Sequence, residues 1–527
     1  MNAATGEFMA NYIIGTRGSL LALTQCGQIK DELEALTGDT FELKVLKTQG
    51  DQIVDKPLWQ LEGKDFFTKE LDHALLTGDV DLVVHSYKDL GSERPEGITL
   101  AAITKRNFAG DILLIKNEKI EKIKEMDSFV VGTSSPRRIT NVESRLKDFL
   151  PTDKNIEVST KILRGNVNTR IERLLNDEYD AIVLAHAGIE RLAKTENSLK
   201  TLKELLKDLN FMVMPQTVFP SAASQGALAI ECLEKREDNG ELYKKLKQVE
   251  DKLTVSEIQR ERQAFKSYGG GCHLAVGIHV KKLNDYYLHI HAGNKDDIDV
   301  DQVELEGSFP SATKKGSVFL GLGSEKAKTY KDKFSDLDIV PCSMIKKFPL
   351  PVDNIEGERF LATSFGHEQV KDNGACLYTA GVKTWKRLAK KGLWVNATSD
   401  ALGESEIELL RSSKSLELMR NSKSTHAKNI TLLSHAGSFS NFDIVPSYAR
   451  DIVELSKEEE ADLLKCDFFY WTSFSSYKDY TSKYPQIKDA FHMCGLGKTL
   501  DQFKKEEIQV RPFIDIEAGL KWVSTLS

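Results

Sequence analysis

Val80-Asp-Leu-Val-Val-His-Ser-Tyr-Lys-Asp-Leu90 runs from a short apolar core directly into a lysine and an aspartate. The continuous run Leu82, Val83, Val84 suits a strand covered on both faces better than one with a wet face. A strand of that kind belongs to a parallel sheet flanked by helices. Lys88 and Asp89 then fall just past its carboxyl end, the edge of an open α/β sheet where ligands bind. Two charges in a loop are more often merely solvated, so this stretch speaks to fold class and leaves function to its neighbours.

Working outward, the same design recurs from residue 11 to about 235. Short apolar runs at 12–15, 41–46, 81–84, 129–131 and 181–184 alternate with helical patterns. The alternation predicts α/β layers with mainly parallel sheets. A Glu/Lys-rich helical stretch at 241–265 leads into Gly269-Gly-Gly-Cys-His273, and alternating strands at 275–280 and 286–291 predict a small α+β domain. Ser308-Phe-Pro-Ser-Ala-Thr-Lys-Lys315 reads as a linker. The chain's 527 residues exceed what one core supports, so several domains of roughly 100–150 residues are expected.

Beyond the linker lies a diverged repeat. Asp338-Ile-Val-Pro341 recurs as Asp443-Ile-Val-Pro446, and Thr363-Ser-Phe365 as Thr472-Ser-Phe474. Gly381-Val-Lys-Thr-Trp385, with Leu388, is matched by Gly497-Lys-Thr-Leu500, with Phe503. In each copy the threonine can cap a helix with apolar residues one and four places on. A strand is then expected at 393–395 and at 508–510. Two similar α/β units in tandem follow from three matches in register.

A net charge of −7 argues against nucleic acid or an anionic membrane as main partner. No apolar stretch approaches the roughly 18 residues of a membrane span. The opening Met-Asn-Ala-Ala-Thr-Gly-Glu-Phe lacks the basic start and apolar segment of a secretory signal. The seven cysteines are scattered without metal-binding spacing, which fits a reducing cytoplasm and no structural metal. Any anion site must therefore be a local cluster of positive charge.

Such clusters stand at the predicted strand ends. Ile13-Ile-Gly-Thr-Arg-Gly-Ser19 places Arg17 and Ser19 after a strand. In Phe129-Val-Val-Gly-Thr-Ser-Ser-Pro-Arg-Arg138, Ser135 is an N-cap and Pro136 a first helical residue. Free backbone N–H groups there make an anion site beside Arg137 and Arg138. Arg164, Arg170 and Arg191 end comparable segments, and planar guanidinium groups suit bidentate recognition of carboxylate or phosphate. Each arginine alone is more often a surface ion pair. Their recurrence favours one crevice for a ligand with several negative charges. Asp89 is the acid within it, suited to stabilising a cation or moving protons. Cys272, after three glycines, is either a buried hydrophobe or a covalent attachment point. The polar segment 48–67, which includes Lys64, resembles a lid.

Together these residues resemble porphobilinogen deaminase. The matching features are Gly15-Thr-Arg-Gly-Ser19, Thr48-Gln-Gly-Asp51, Phe67-Thr-Lys-Glu-Leu71, His85-Ser-Tyr-Lys-Asp89, Gly132-Thr-Ser-Ser135 with Arg137-Arg138, Leu163-Arg-Gly-Asn-Val167, Gln225-Gly226 and Gly270-Gly-Cys272, in family order across about residues 11 to 307. Leu90-Gly91, Pro136 and His273 depart from the family's usual residues. The resemblance implies a dipyrromethane cofactor joined to Cys272 by a thioether. It implies a catalytic role for Asp89 in losing ammonia and steadying the resulting azafulvene cation. Lys88, Arg137, Arg138 and Ser19 would hold cofactor carboxylates, and Arg17, Arg164, Arg170, Arg191 and Lys64 those of substrate and growing chain.

The C-terminal half resembles uroporphyrinogen-III synthase more faintly, through Thr363-Ser-Phe365, Thr472-Ser-Phe474 and Val445-Pro-Ser-Tyr448. That family has two α/β domains joined by a β-ladder, with a cleft between them. Tyr448, Thr472, Ser473 and Thr499 are the cleft candidates. The two resemblances imply an α/β protein whose first module has two periplasmic-binding-protein-like domains, 10–107 with 212–236 and 108–211, plus a small α+β domain at 237–307. A linker at 308–315 and a synthase-like module at 316–527 complete it. The expected chemistry is bifunctional: four porphobilinogen molecules condensed to a linear tetrapyrrole, then cyclised to uroporphyrinogen III in the cytoplasm, with no metal, nucleic acid or membrane. A silent C-terminal module and a non-catalytic polycarboxylate binder remain as alternatives.

Overall fold

The computed structural model describes residues 9–48, 68–91, 93–271, 273–352, 355–366, 369–421 and 429–527. The chain divides into two compact units, Met1–Glu304 with Ser412–Ser422, and Leu305–Arg411 with Lys423–Ser527. Residues 316–527 were expected as one module, whereas Ser412–Ser422 packs with the first unit.

The first unit holds two five-stranded sheets of the same plan. One runs Thr40–Leu46, Asn11–Arg17, Leu82–Ser86, Leu228–Leu233, Ile98–Ile103. The other runs Glu157–Lys161, Ser128–Gly132, Ala181–Ala185, Asp111–Lys116, Leu209–Val213. In each, the first three strands are parallel and the fourth is antiparallel to both neighbours. Four of the five residues in Leu82–Ser86 are buried, as its unbroken apolar run requires. The chain crosses between the sheets at 104–110 and returns at 214–227. A third sheet, Ala275–Leu283, Tyr286–Lys295 and Ile298–Glu306, packs under the helix Lys252–Ser267.

Glu261 on that helix fastens the small sheet to the crossings. Its buried carboxylate takes Arg106 at 2.7 and 3.0 Å, the Ser224 N–H at 2.7 Å and the Val280 N–H at 2.9 Å. The crossings meet at Gly226, whose carbonyl accepts the Asn107 N–H at 2.9 Å. Gly226 has φ +95°, and a Cβ there would stand 2.5 Å from the Asn107 carbonyl oxygen. Only glycine satisfies both conditions.

The second unit also has two sheets. The first, Ile339–Val340, Val318–Phe319, Phe468–Trp471, Phe491–Gly495 and Arg511–Phe513, is parallel throughout. The second, Ile345–Pro349, Asp443–Ile452, Ile430–His435, Glu358–Leu361, Leu377–Thr379 and Ala397–Thr398, is parallel except for its antiparallel first pair. Those two strands carry the chain from one sheet to the other and back.

The expected strands at 393–395 and 508–510 lie instead at Ala397–Thr398 and Arg511–Phe513. The reason is the same in both copies. The preceding helices end in a left-handed turn, at Gly392 and Glu507, and the Leu393 and Ile508 N–H groups bond back to Leu388 and Phe503. The apolar residues thus belong to the helix end. Thr384 and Thr499 sit inside the first turns, whose N-caps are Gly381 and Gly497. Trp385, Leu388, Leu500 and Phe503 are buried, one and four places after each threonine.

Gly226→Ala is expected to lower stability by at least about 1–3 kcal/mol from backbone strain alone. Urea denaturation of the full chain checks this, and an unchanged midpoint would mean that the crossings separate without cost.

Candidate functional site

The carboxyl end of Leu82–Ser86 turns through a single 3-10 turn, Tyr87–Asp89, pinned by the Tyr87 N–H on the Ala227 carbonyl at 3.1 Å. Asp89 is exposed and Lys88 half-buried, with its ammonium turned inward to Gln225 Oε1 at 3.4 Å. Gln225 Nε2 in turn donates to Asp111 Oδ1 at 2.8 Å and to the Ala109 carbonyl at 2.6 Å.

Asp111 is the hub. Arg138 grips it in a fork, Nε to Oδ2 at 3.0 Å and Nη2 to Oδ1 at 2.7 Å, and Arg137 Nη2 lies 2.8 Å from Oδ2. Burial works to raise the Asp111 carboxyl, but the two guanidinium groups outweigh it and hold it well below the usual range. Both arginines come from the first turn of the helix Pro136–Arg145, which starts at Ser135 with Pro136 in its first position. Further donors reach the Pro220 carbonyl from Arg137 and the Val183 carbonyl from Arg138. Arg137 Nε is buried and has no partner among the described residues. An orphaned donor beside buried cations fits a carboxylate-bearing ligand.

Arg170 adds to this field. Burial lowers it to about 10, with Arg138 and Arg164 repelling it and Asp89 opposing. The same neighbours act on Lys88, which burial lowers to about 8, with Asp89 opposing and Arg138 and Arg137 reinforcing. Lys88, Asp89, Arg137, Arg138, Arg164 and Arg170 therefore share one electrostatic neighbourhood. Arg191 is buried with Nη2 on the Gly226 carbonyl at 2.7 Å, adjacent to Gln225. Arg17 ends the neighbouring strand, and Ser19 caps the helix Leu20–Thr37 by accepting the Ala22 N–H at 3.3 Å. Lys64 and Cys272 lie outside the described residues.

Sequence reasoning missed Asp111. Its signal was a charge opening the apolar run Asp111-Ile-Leu-Leu-Ile115, the mirror of two charges closing the run at Val84. Among the described residues one buried group, Asp72, His85 and Glu231, is compact enough for a cation. Arg94 already supplies that charge by bonding both carboxylates.

In the second unit, Thr472 and Ser476 line a small cavity with Phe319, Ile345, Trp471 and Tyr480. Ser473 caps the helix Phe474–Lys483. Facing this helix start, Arg450 bonds Ser475 at 2.6 Å and Asp479 at 2.9 Å, and its strand partner is Lys347. Tyr448 is buried under Lys347, 5.2 Å from its ring centre, and beside Phe365 and His435. Lys347 and Arg450 were not anticipated. Thr499 lies in the first turn of Lys498–Lys505 and does not line this cavity.

Residues 12–241 match the family model of the porphobilinogen deaminase dipyromethane cofactor binding domain. The porphobilinogen deaminase of Lachnospira eligens is 38% identical over 308 residues, spanning 57% of this chain and 96% of that protein. The chain belongs to the porphobilinogen deaminase family. Its relative from Nitratiruptor is 41% identical over 280 residues (53% of this chain, 81% of that protein), and the one from Oceanobacillus iheyensis is 34% identical over 331 (62% and 99%). Among solved structures, the probable amino-acid ABC transporter extracellular-binding protein ytmK from Bacillus subtilis aligns at TM-score 0.26 and 12% identity, covering 49% of this chain and 97% of that one. The N-terminal half is thus a porphobilinogen deaminase with a dipyrromethane cofactor held on a cysteine. None of the described helices is long and apolar enough to cross a membrane.

Two outcomes follow from the geometry. With Lys88 lowered by burial to about 8, kcat/KM for porphobilinogen should fall as pH rises through that value. Lys88→Arg, which keeps its charge, should remove that limb; a wild-type profile flat to about pH 10 would contradict the inward ammonium. Asp111→Asn leaves two buried guanidinium groups without their anion and should cost about 3–5 kcal/mol in denaturation.

Proposed function

We propose that the chain is a bifunctional enzyme that assembles hydroxymethylbilane from four porphobilinogen molecules and closes it to uroporphyrinogen III. The observation that carries the first activity is a single exposed carboxylate, Asp89, set among Lys88, Arg137, Arg138, Arg164 and Arg170. The cations hold acetate and propionate groups of cofactor and substrate. Asp89 accepts pyrrole N–H donors and faces the positive charge that develops as ammonia leaves. Arg191, Arg17, Ser19 and Lys64 extend the carboxylate-binding surface as the chain of pyrroles grows.

Cys272 is the attachment point for dipyrromethane, which when bound supplies the free pyrrole position on which units are added. The other cysteines of the first unit, Cys26 and Cys232, are buried in its core, with thiols pushed up by burial to about 11. Neither suits a thiolate nucleophile. Cysteines kept as thiols also fit a cytoplasmic setting.

For the second activity the support is architectural and electrostatic. Two α/β halves exchange the chain through the antiparallel pair Ile345–Pro349 and Asp443–Ile452. Beside that pair Lys347 lies over Tyr448 and Arg450 bonds Ser475 in the helix start at Ser473, while Thr472 and Ser476 of the same segment line a small cavity. Cations and a helix N-terminus suit a polycarboxylate tetrapyrrole. Tyr448, Thr472 and Ser473 are the residues assigned to it, and Thr499 stands further along the same unit.

Supplying purified protein with porphobilinogen, oxidising the products and resolving uroporphyrin isomers tests both halves. Isomer III in excess is expected. Isomer I alone would remove the cyclase reading, and no porphyrin at all would favour a polycarboxylate binder. Asp89→Asn should lower kcat by about 10²–10⁴, the span of a lost proton-handling carboxylate. Cys272→Ser should lose a two-pyrrole adduct from the intact mass; an unmodified, active wild type would sink that assignment.

A further inference from the structure

The helix His186–Lys194, which carries Arg191, is buried along eight consecutive residues, His186 to Ala193. A helix packed on one sheet buries a single stripe, so its outer side must be covered. The helices Leu20–Thr37 and Glu196–Leu206 cover part of it, and the helix Lys414–Asn421 packs on it as well and on the strand Leu209–Val213. At the centre of the contact is Glu190, fully buried. Its Oε1 accepts the Lys414 N–H at 3.1 Å. Its Oε2 accepts the Ser415 N–H at 3.0 Å, the Ser413 hydroxyl at 2.6 Å and the Ser415 hydroxyl at 2.8 Å. A carboxylate from one helix thus caps the start of another, where free N–H groups and the helix dipole favour an anion. Burial works to raise this carboxyl, but the donors from Ser413, Ser415 and Lys414 outweigh it and hold it well below the usual carboxylate range.

His186 joins the same knot. Its Nε2 lies 3.0 and 3.2 Å from the Ser413 and Ser415 hydroxyl oxygens. With both hydroxyl hydrogens given to Glu190, Nε2 acts as the N–H donor, and burial lowers the ring's pKa, which favours its neutral form. On its other side the ring stacks on Phe108, centroids 4.3 Å apart, and its backbone N–H bonds the Gly110 carbonyl at 3.1 Å. Phe108 and Gly110 belong to the first crossing. Arg191, one residue after Glu190, bonds Gly226 in the second.

We propose that the segment Ser412–Ser422 is a built-in brace of the deaminase, with Glu190 as the positioning residue that sets Arg191 against the crossings. The role of Arg191 in holding substrate carboxylates is the reading given above, and the brace rests on it. The C-terminal sequence thereby supplies a working part of the N-terminal enzyme. Its occupant chemistry is specific: a Ser-x-Ser turn opening a helix, offering two hydroxyls and two N–H groups to one buried carboxylate.

The test uses the full chain with Ser413→Ala/Ser415→Ala and, separately, Glu190→Gln. Expected is a rise of about tenfold in KM for porphobilinogen, the weight of one lost charge-assisted contact. kcat should stay within about twofold and the cofactor mass should be retained. Hydrogen exchange at residues 186–194 and 107–110 should quicken in the same variants. Faster exchange with unchanged KM would leave the brace but overturn its link to Arg191; unchanged KM and exchange would overturn both. If Glu190→Gln does not fold, the serine variant decides alone. Should the wild type fail to turn over porphobilinogen, the deaminase reading fails, while the exchange measurement still judges the brace.

Discussion

One buried carboxylate organises the first unit's chemistry. Asp111 is the first residue of its strand, ionised, and enclosed by Arg137, Arg138 and Gln225. Taking a carboxylate and two guanidinium groups out of water is costly, and only dense hydrogen bonding recovers that cost. The recovery fixes the arginines' geometry before any ligand arrives. It also leaves donors over, notably Arg137 Nε, so the site is cationic without being disordered by self-repulsion. The position is useful because Asp111 follows directly on the first crossing, while Gln225 lies in the second. Structural connection and ligand field are therefore the same set of bonds.

The fold of this unit was largely legible in its sequence. Unbroken apolar runs at Leu82–Val84 and Phe129–Val131 read as strands, and both are, the first buried throughout and the second with Val130 half-buried. The basic residues at their ends could be found because strand ends are where side chains escape the layers. What sequence could not reveal was which cations are already partnered. The fork of Arg138 on Asp111 forms only once residues far apart in sequence meet. Glu190 was invisible for the same reason, its partners lying more than two hundred positions away.

In the second unit the repeat was readable but its punctuation was not. Trp385 and Leu388, Leu500 and Phe503 are buried at the expected spacing. The strands after them begin later than expected because Leu393 and Ile508 close the helix before them. An apolar residue three or four places past a helix can serve either purpose, and a left-handed residue, Gly392 or Glu507, decides it. That the same turn is made by glycine in one copy and glutamate in the other indicates a constraint on backbone shape more than on side chain.

The membership of Ser412–Ser422 in the first unit has a consequence for synthesis on the ribosome. The rest of that unit is complete at Glu304, yet its last helix ends at Asn421, 117 residues later, 421 minus 304. At about 5–20 residues per second, that is roughly 6–24 s of elongation. Throughout it, Glu190 and the face around His186 lack their cover. Translation order thus separates the making of Glu190 from the making of its hydrogen-bond partners, so this unit cannot finish folding until well over a hundred further residues have been added.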